Sequence, residues 1–444
     1  MPFTDVLSTE VVSQALTSAE VVWKDRIYTP LITLWVFLSQ VLSEDHSCRA
    51  AVARLITHRL SRSQSCCSAE TGAYCQAKKR LPEKFFADIA RKSGQNLDKS
   101  AQSEWLWKGR RVYMFDGSTV SMPDTPENQD AYPQHDKQQP GLGFPLARIA
   151  AIFSLSCGAI MDLGICRYAG KGQGELSLFR TLWDFFQPGD VVLTDCLYCT
   201  WRDLLMLKHR GVDSVSQLQA MRRADFRKGK RLGREDRIVR WRRPATRSLT
   251  GLAHRELPEC LTVRECRIRI RQSGFRTASM VVVTTLLDAE EFTKEDLAGL
   301  YRARWNAELD LYSVKQTLQM DILRCKTPEQ VRKEIWTHIL AYNLIRTIMA
   351  QAAMRHEIQP RTISFKGALQ FLGEFQRLID YQECRGRAHR MMLYEKLLEC
   401  IASQRVADRP DRFEPRLLKR RPKHFAFLRK PRHVIKAEMM KGLR

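Results

Sequence analysis

Tyr301-Arg302-Ala303-Arg304-Trp305-Asn306-Ala307-Glu308, running on to Lys315, is the stretch on which the reading of this chain turns. It follows Thr293-Lys294-Glu295-Asp296-Leu297, an acidic segment suited to a helix start, and contains neither glycine nor proline. Read as a helix turning about 100° per residue, it places Tyr301, Arg304, Glu308 and Lys315 within one sector of roughly 60°. By the same reckoning Asp310 points about 160° away from Glu308. A carboxylate flanked on one face by an aromatic hydroxyl and two cations can both hold a metal and grip phosphate. The pattern fits a solvated amphipathic helix with i, i+4 pairing equally well, and the stretch alone does not separate the two.

The chain of 444 residues has room for roughly two to four domains, and its apolar content of 44% excludes wholesale disorder. A formal net charge of +24 makes a polyanion the expected partner, with nucleic acid ahead of an acidic membrane surface. The 13 cysteines are scattered, and Cys196-Leu-Tyr-Cys199 is the only C-x-x-C, so no paired zinc site is expected. Free thiols in a reducing compartment follow from that pattern. The first residues lack the basic and apolar regions of a secretory signal, and the apolar run Leu31 to Leu38 is too short to span a bilayer. A cytoplasmic protein without membrane contact is the expectation.

Residues 1 to about 106 read as helical from apolar spacings of three and four. Thr71-Gly-Ala-Tyr-Cys-Gln leads into Lys78-Lys79-Arg80 and Pro82, a short helix with a cationic end for phosphate contact or simple solvation. From Arg110 the pattern becomes strand-like: Arg111-Val-Tyr-Met-Phe-Asp116-Gly ends in an Asp before a turn. A hairpin around Cys157-Gly158 follows. Gly170-Lys171-Gly172-Gln173-Gly174 lacks the G-K-[ST] ending of a P-loop, so nucleoside triphosphate binding is rejected. Val191-Val192-Leu193-Thr194 is a short buried strand ending in Asp195, and a helix from Trp201 to His209 follows.

Residues 222–243 are dense in cations, including Arg222, Arg223, Arg227 and Lys230, with Phe226 and Trp241 interleaved. Arginine with aromatics suits backbone phosphate and exposed bases, and a disordered basic loop is the competing reading. Leu261 to Arg271 alternates as a strand with one basic face. Beyond the opening stretch, Ile335 to Met349 is apolar on most faces and should be core, and 364–401 reads as helical. The tail from Arg409 to Arg432 is basic and punctuated by proline.

Three carboxylates stand out by position: Asp116 and Asp195 after strands, and Glu308 on a late helix face. Adjacent strands of one sheet would bring the two Asp residues together, and a packed helix would add the Glu. Hard oxygen donors without a His or Cys cluster favour Mg²⁺, with Mn²⁺ as a substitute, over zinc. In an arginine-rich chain that donor set points to phosphoryl transfer on nucleic acid.

The spacing Y-x2-R-x3-E-x6-K, met by Tyr301, Arg304, Glu308 and Lys315, resembles the signature of DDE transposases of the insertion-sequence-four family of bacterial mobile elements. Asp116-Gly117-Ser118 is similar to that family's first Asp motif, and Asp195 lies where the second is expected. Thr71-Gly-Ala-Tyr-Cys-Gln and Glu414-Pro-Arg with its basic run extend the resemblance over most of the chain. One departure is local: Leu197 stands where the family carries glycine.

The resemblance implies an α/β fold. An RNase H-like catalytic core in two parts, 108–210 and 277–380, would be interrupted by a mostly β, basic insertion at 211–276. An N-terminal helical domain, 1–107, would read the DNA end, and 381–444 would form a helical and basic C-terminal region. It implies that Asp116, Asp195 and Glu308 bind the metal ions. Tyr301, Arg304 and Lys315 would hold DNA, joined by Lys78, Lys79, Arg222, Arg223, Arg227 and Lys230, with Trp241 the candidate for base stacking. The partners implied are terminal inverted repeats, target DNA and a second copy of the chain in a paired-end complex. A structure-selective nuclease on the same fold, or an inactive relative that binds DNA ends, remain the alternatives to a cut-and-paste transposase.

Overall fold

The computed structural model describes residues 7–24, 26–244, 257–269, 279–381, 386–406 and 426–442. The chain opens with helices α1 (Thr9–Ser18), α2 (Pro30–Val41), α3 (Cys48–Ser61), α4 (Gly72–Arg80) and α5 (Glu83–Lys99). The side-chain oxygens of Ser8, Thr29 and Ser47 accept backbone N–H groups that the first turns of α1, α2 and α3 leave open. Along α5, Phe85, Phe86, Ile89, Ala90 and Leu97 are buried at helical spacing. Gly94 lies on the same face: a Cβ there would sit 2.4 Å from the Ile160 carbonyl oxygen, so the close helix–strand approach requires glycine.

Next come β1 (Val112–Ser121), α6 (Pro126–Ala131), β2 (Leu146–Ser154), β3 (Ile160–Arg167), α7 (Glu175–Thr181), β4 (Val191–Thr194), α8 (Trp201–His209) and β5 (Asp213–Gln217). Gly158, with φ +81°, makes the turn between β2 and β3. Four further strands follow: β6 (Lys230–Gly233), β7 (Asp236–Arg242), β8 (Cys260–Arg269) and β9 (Ser279–Thr284). Among the described residues, nine strands form one sheet in the order β3-β2-β1-β4-β5-β9-β8-β7-β6. β2 is antiparallel to both β1 and β3, whereas β4 runs parallel to β1 and to β5. The described strands of the 211–276 segment are therefore built into the sheet: β5 pairs with β4 on one side and β9 on the other, and β8, β7 and β6 extend it outward.

The basic face expected on Leu261 to Arg271 is carried by Arg267 and Arg269, partly covered and exposed at alternate positions of β8, whereas Arg264 points to the other face. Arg264 is buried, and its guanidinium grips both oxygens of Asp236 at 2.8 and 2.6 Å. Arg237, on the neighbouring strand, is buried against Glu265. A charged side chain is tolerated inside only with such a partner. The last two residues of that stretch lie outside the described residues.

The remaining elements are α9 (Lys294–Ala303), α10 (Trp305–Tyr312), α11 (Pro328–Arg355), α12 (Phe365–Tyr381), α13 (Gly386–Ser403) and α14 (Arg432–Gly442). Thr293 and Asp296 form a reciprocal capping box at the start of α9. The segment from Tyr301 to Lys315 is not one continuous α-helix: it turns at Arg304, resumes as α10, and ends in a π-helical turn, Ser313–Thr317. Helix α11, 28 residues long, is buried on most faces and packs against α5, α2, α12, α13 and β3. Its Asn343 amide bonds both the N–H and the C=O of Ile160 at 2.9 Å, and so joins helix to sheet. One apolar cluster runs from α1 and α5 through the sheet to α13, and a second, around Trp201, Trp241, Val263 and Val283, underlies the outer strands. No helix among the described residues is long and apolar enough to cross a membrane. Glu414-Pro-Arg and most of the basic tail lie outside the described residues.

Candidate active site

β1 and β4 are parallel neighbours in the register Met114↔Leu193, so two residues further along each strand lead to Asp116 and Asp195. Because strand side chains alternate faces, both carboxylates leave the sheet on the same side. The Gly117 amide donates to Asp116 Oδ1 at 2.8 Å. Asp195 ends β4 and caps the 3₁₀ turn Cys196–Tyr198, accepting from the Leu197 amide at 2.7 Å. Leu197 takes no left-handed conformation, and its side chain is exposed, so the turn accommodates leucine where glycine was expected.

The third carboxylate arrives on α10, which packs against β1. Glu308 accepts from Arg304 Nη2 at 2.8 Å across the break between α9 and α10. Tyr301 is buried, and its hydroxyl lies 3.4 Å from Gln217 Oε1. Lys315, in the π-helical turn, donates to Ser118 Oγ at 2.7 Å, two residues along β1 from Asp116. The four residues of the signature and the first Asp motif thus meet at one end of the central strands.

Burial pushes the Asp116 carboxyl up from 3.8 to about 6; the charges of Asp195 and Glu308 add to the rise, while the Gly117 amide and Arg304 oppose it. Asp195 is raised as well, by burial first and then by the charge of Glu175, against the Leu197 amide and Arg304. Burial lowers the Lys315 ammonium, and it holds the Tyr301 phenol above its ordinary value. Among the described residues, no three His, Cys, Asp or Glu side chains are gathered closely enough to hold a metal as they stand. The donor chemistry nevertheless fits a divalent cation. Two half-buried carboxylates are costly to ionise, the Arg304 charge eases both, and the donors are hard oxygens.

Other expected residues fall differently. Trp241 is not offered to a base: it is 6% exposed, donates from Nε1 to Glu265 Oε1 at 2.8 Å, and carries the Arg222 guanidinium 4.2 Å from its ring centre. Lys78 is turned inward, 4% exposed, with Nζ 4.2 Å from the centre of the Phe37 ring, whereas Lys79 is exposed. Arg223, Arg227 and Lys230 are only partly covered or exposed, and Arg227 pairs with Asp225 at 3.0 Å. Arg222, Arg223, Lys228 and Arg240 line an open cavity of about 430 Å³ at the edge of the outer strands.

Glu175 carries no mark in the sequence. It begins α7, pairs with Arg148, accepts from the Tyr198 hydroxyl at 3.4 Å, and lies so close to Gly117 that a Cβ there would be 2.8 Å from its carboxyl carbon. An acidic residue in a first helical turn is too common to signal this by itself. Asp310 is fully buried between Arg346 and Arg361, facing away from Glu308 as helical periodicity expects.

The Transposase DDE domain family model matches residues 107–344. The transposase InsG for insertion sequence element IS4 of Escherichia coli (strain K12) is 24% identical over 438 residues, covering 94% of this chain and 91% of that one. The transposase for insertion sequence element IS421 of Escherichia coli is 34% identical over 80 residues, 18% of this chain and 22% of that one. Among solved structures, piggyBac transposase in a synaptic complex with hairpin DNA aligns over 90% of this chain and 84% of its own, with a TM-score of 0.46 and 7% identity.

Proposed function

The chain belongs to the Transposase DDE domain family, and from that premise we propose metal-dependent cut-and-paste transposition, in which water cuts at the element's end and the freed 3′-hydroxyl attacks target DNA. The observation that carries the reading is the pairing of β1 with β4, which sets Asp116 and Asp195 on one face beside the Arg304–Glu308 pair. We read β3-β2-β1-β4-β5, with the first three strands antiparallel and the last two parallel to β1, as an RNase H-like core.

Asp116, Asp195 and Glu308 would hold Mg²⁺, or Mn²⁺ in its place, which when bound activates the attacking oxygen and offsets charge on the leaving one. The chain's own groups do the positioning. Arg304 is a planar donor that can pass from Glu308 to a phosphate, and Lys315 beside Ser118 is a point charge for the same backbone. Tyr301, buried behind them, fixes the face of α9 from which Arg304 projects. The cations Lys79, Arg223 and Lys230 supply non-specific attraction for duplex DNA. Two copies acting on paired ends complete the reading.

The test is incubation of the purified chain with Mg²⁺ and a duplex carrying its own element end. A nick exposing a 3′-hydroxyl, followed by joining to a second duplex, is the expected result. Cleavage without joining would replace transposition by a nuclease activity.

A further inference from the structure

We propose that Asp310 is a positioning residue: it fixes the rotation of α10 about its own axis and so aims Glu308 at the strand that carries Asp116. The inference rests on the metal-site reading above. Helix α10 has eight residues, with a break at Arg304 before it and a π-helical turn after it. Both junctions keep helical dihedrals, φ −53° and ψ −32° at Arg304 and φ −61° and ψ −43° at Ser313, but the hydrogen-bond ladder changes at each, so the azimuth also needs contacts from the side. Its outer face is loosely held, since Leu309 and Tyr312 are 46% and 62% exposed, and only Ala307, Asp310 and Leu311 are buried.

Asp310 is the polar anchor among those three. It accepts from Arg346 Nη2 at 2.5 Å, and Arg361 Nη1 reaches its two oxygens at 2.9 and 2.7 Å. Both cations are tied onward. Arg361 donates to the carbonyls of Leu155 at 2.8 Å and Ser154 at 2.5 Å, in the β2–β3 hairpin. Arg346 donates to the Tyr342 hydroxyl at 2.8 Å, which itself donates to Gly158 C=O at 2.9 Å. Ser154 bonds Asp98, and Asp98 in turn holds Arg111 and Tyr113 at the start of β1. A buried polar chain thus runs from the back of the helix segment bearing the third carboxylate to the strand bearing the first.

The lever is sensitive. With side chains reaching about 5–6 Å from a helix axis, a rotation of about 20° moves a carboxylate tip by about 2 Å, several times the tolerance of a preorganised site. Supports of this kind typically change metal affinity about 10–100-fold when removed.

The experiment uses the full chain and Mn²⁺, with binding read by paramagnetic resonance and the motion of α10 by amide hydrogen exchange. Asp310→Asn should weaken Mn²⁺ binding about 10–100-fold and speed exchange in α10. Arg361→Lys, which keeps both charges but loses the forked grip, should act in the same direction and decides the matter if the first variant fails to fold. Asp236→Asn, which breaks the buried pair with Arg264 in the outer strands, should leave Mn²⁺ affinity and α10 exchange unchanged. Wild-type Mn²⁺ affinity in Asp310→Asn, or an equal loss in Asp236→Asn, overturns the proposal. Glu308→Gln tests the underlying reading: undiminished Mn²⁺ binding there removes the metal site. Exchange in α10, which needs no metal, then still decides whether Asp310 holds the segment.

Discussion

Arg304 Nη2 lies 2.8 Å from Glu308 Oε1, so the helix-borne carboxylate has its counter-charge one turn away. Asp116 has no such ion pair among the described residues and keeps its proton to about pH 6. On the proposed metal-site reading, Glu308 exchanges a guanidinium for the cation, and Asp116, below about pH 6, exchanges a proton for it.

Replacing Arg304 with Ala should lower the thermal midpoint of the metal-free chain only slightly, because a partly exposed pair is worth about 1 kcal/mol at most. The rise in midpoint on adding Mn²⁺ should be larger than in the wild type, since Glu308 is released. Thermal melts with and without Mn²⁺ check this, and an unchanged or smaller rise would count against the competition.

Asp116→Asn should reduce Mg²⁺-dependent cleavage of the element's end on the order of a thousandfold, with duplex affinity within about twofold of the wild type. Single-turnover cleavage and a gel-shift on the same duplex measure both. Undiminished cleavage would remove Asp116 from the site.

The same substitution has a pH signature in the metal-free chain. Folding raises the Asp116 pKa from 3.8 to about 6, so below about pH 4 the carboxyl is largely neutral in both states and imposes little penalty. Between about pH 4 and 6 the unfolded carboxyl ionises while the folded one keeps its proton, so stability falls by a total on the order of 1–3 kcal/mol and levels off by about pH 7. Asp116→Asn should therefore be more stable than the wild type at about pH 7.5 and nearly equal at about pH 4, by urea unfolding in EDTA. A difference independent of pH would refute burial as the cause.

Trp241→Ala should act on folding rather than on DNA. Its ring fills the second core, so truncation should cost about 3–5 kcal/mol, and Trp241→Phe less. Chemical denaturation measures the loss. Near-native stability with impaired end binding would return Trp241 to the DNA surface.

The cations of the outer strands make a salt-dependence prediction. Arg223→Gln with Lys230→Gln should weaken binding to any duplex sequence and flatten the slope of log affinity against log salt by about 0.9 for each phosphate no longer neutralised. An unchanged slope across roughly 50–200 mM salt would mean that neither residue meets phosphate.

What is legible in the sequence is what local spacing encodes. The intervals joining Tyr301, Arg304, Glu308 and Lys315 mark the signature, and strand-end positions mark Asp116 and Asp195. The opposite orientation of Asp310 also follows from helical periodicity. Its purpose does not, because Arg346 and Arg361 lie 36 and 51 residues away in sequence. The burial of Lys78, Trp241 and Arg264 is not legible for one reason: composition counts charges and rings but does not say which are already paired inside the fold. The break at Arg304 leaves no mark either, since that stretch holds no helix-breaking residue.

A sheet without a seam also works as a ruler. β7 and β6 lie four and five strands out from β4. At about 4.8 Å per strand, that puts the basic rim about 19–24 Å from the carboxylates. Backbone hydrogen bonds, rather than a linker, set that interval. Lengthening a loop would leave it unchanged, while deleting the β6–β7 hairpin would shorten the rim's reach by whole strand widths.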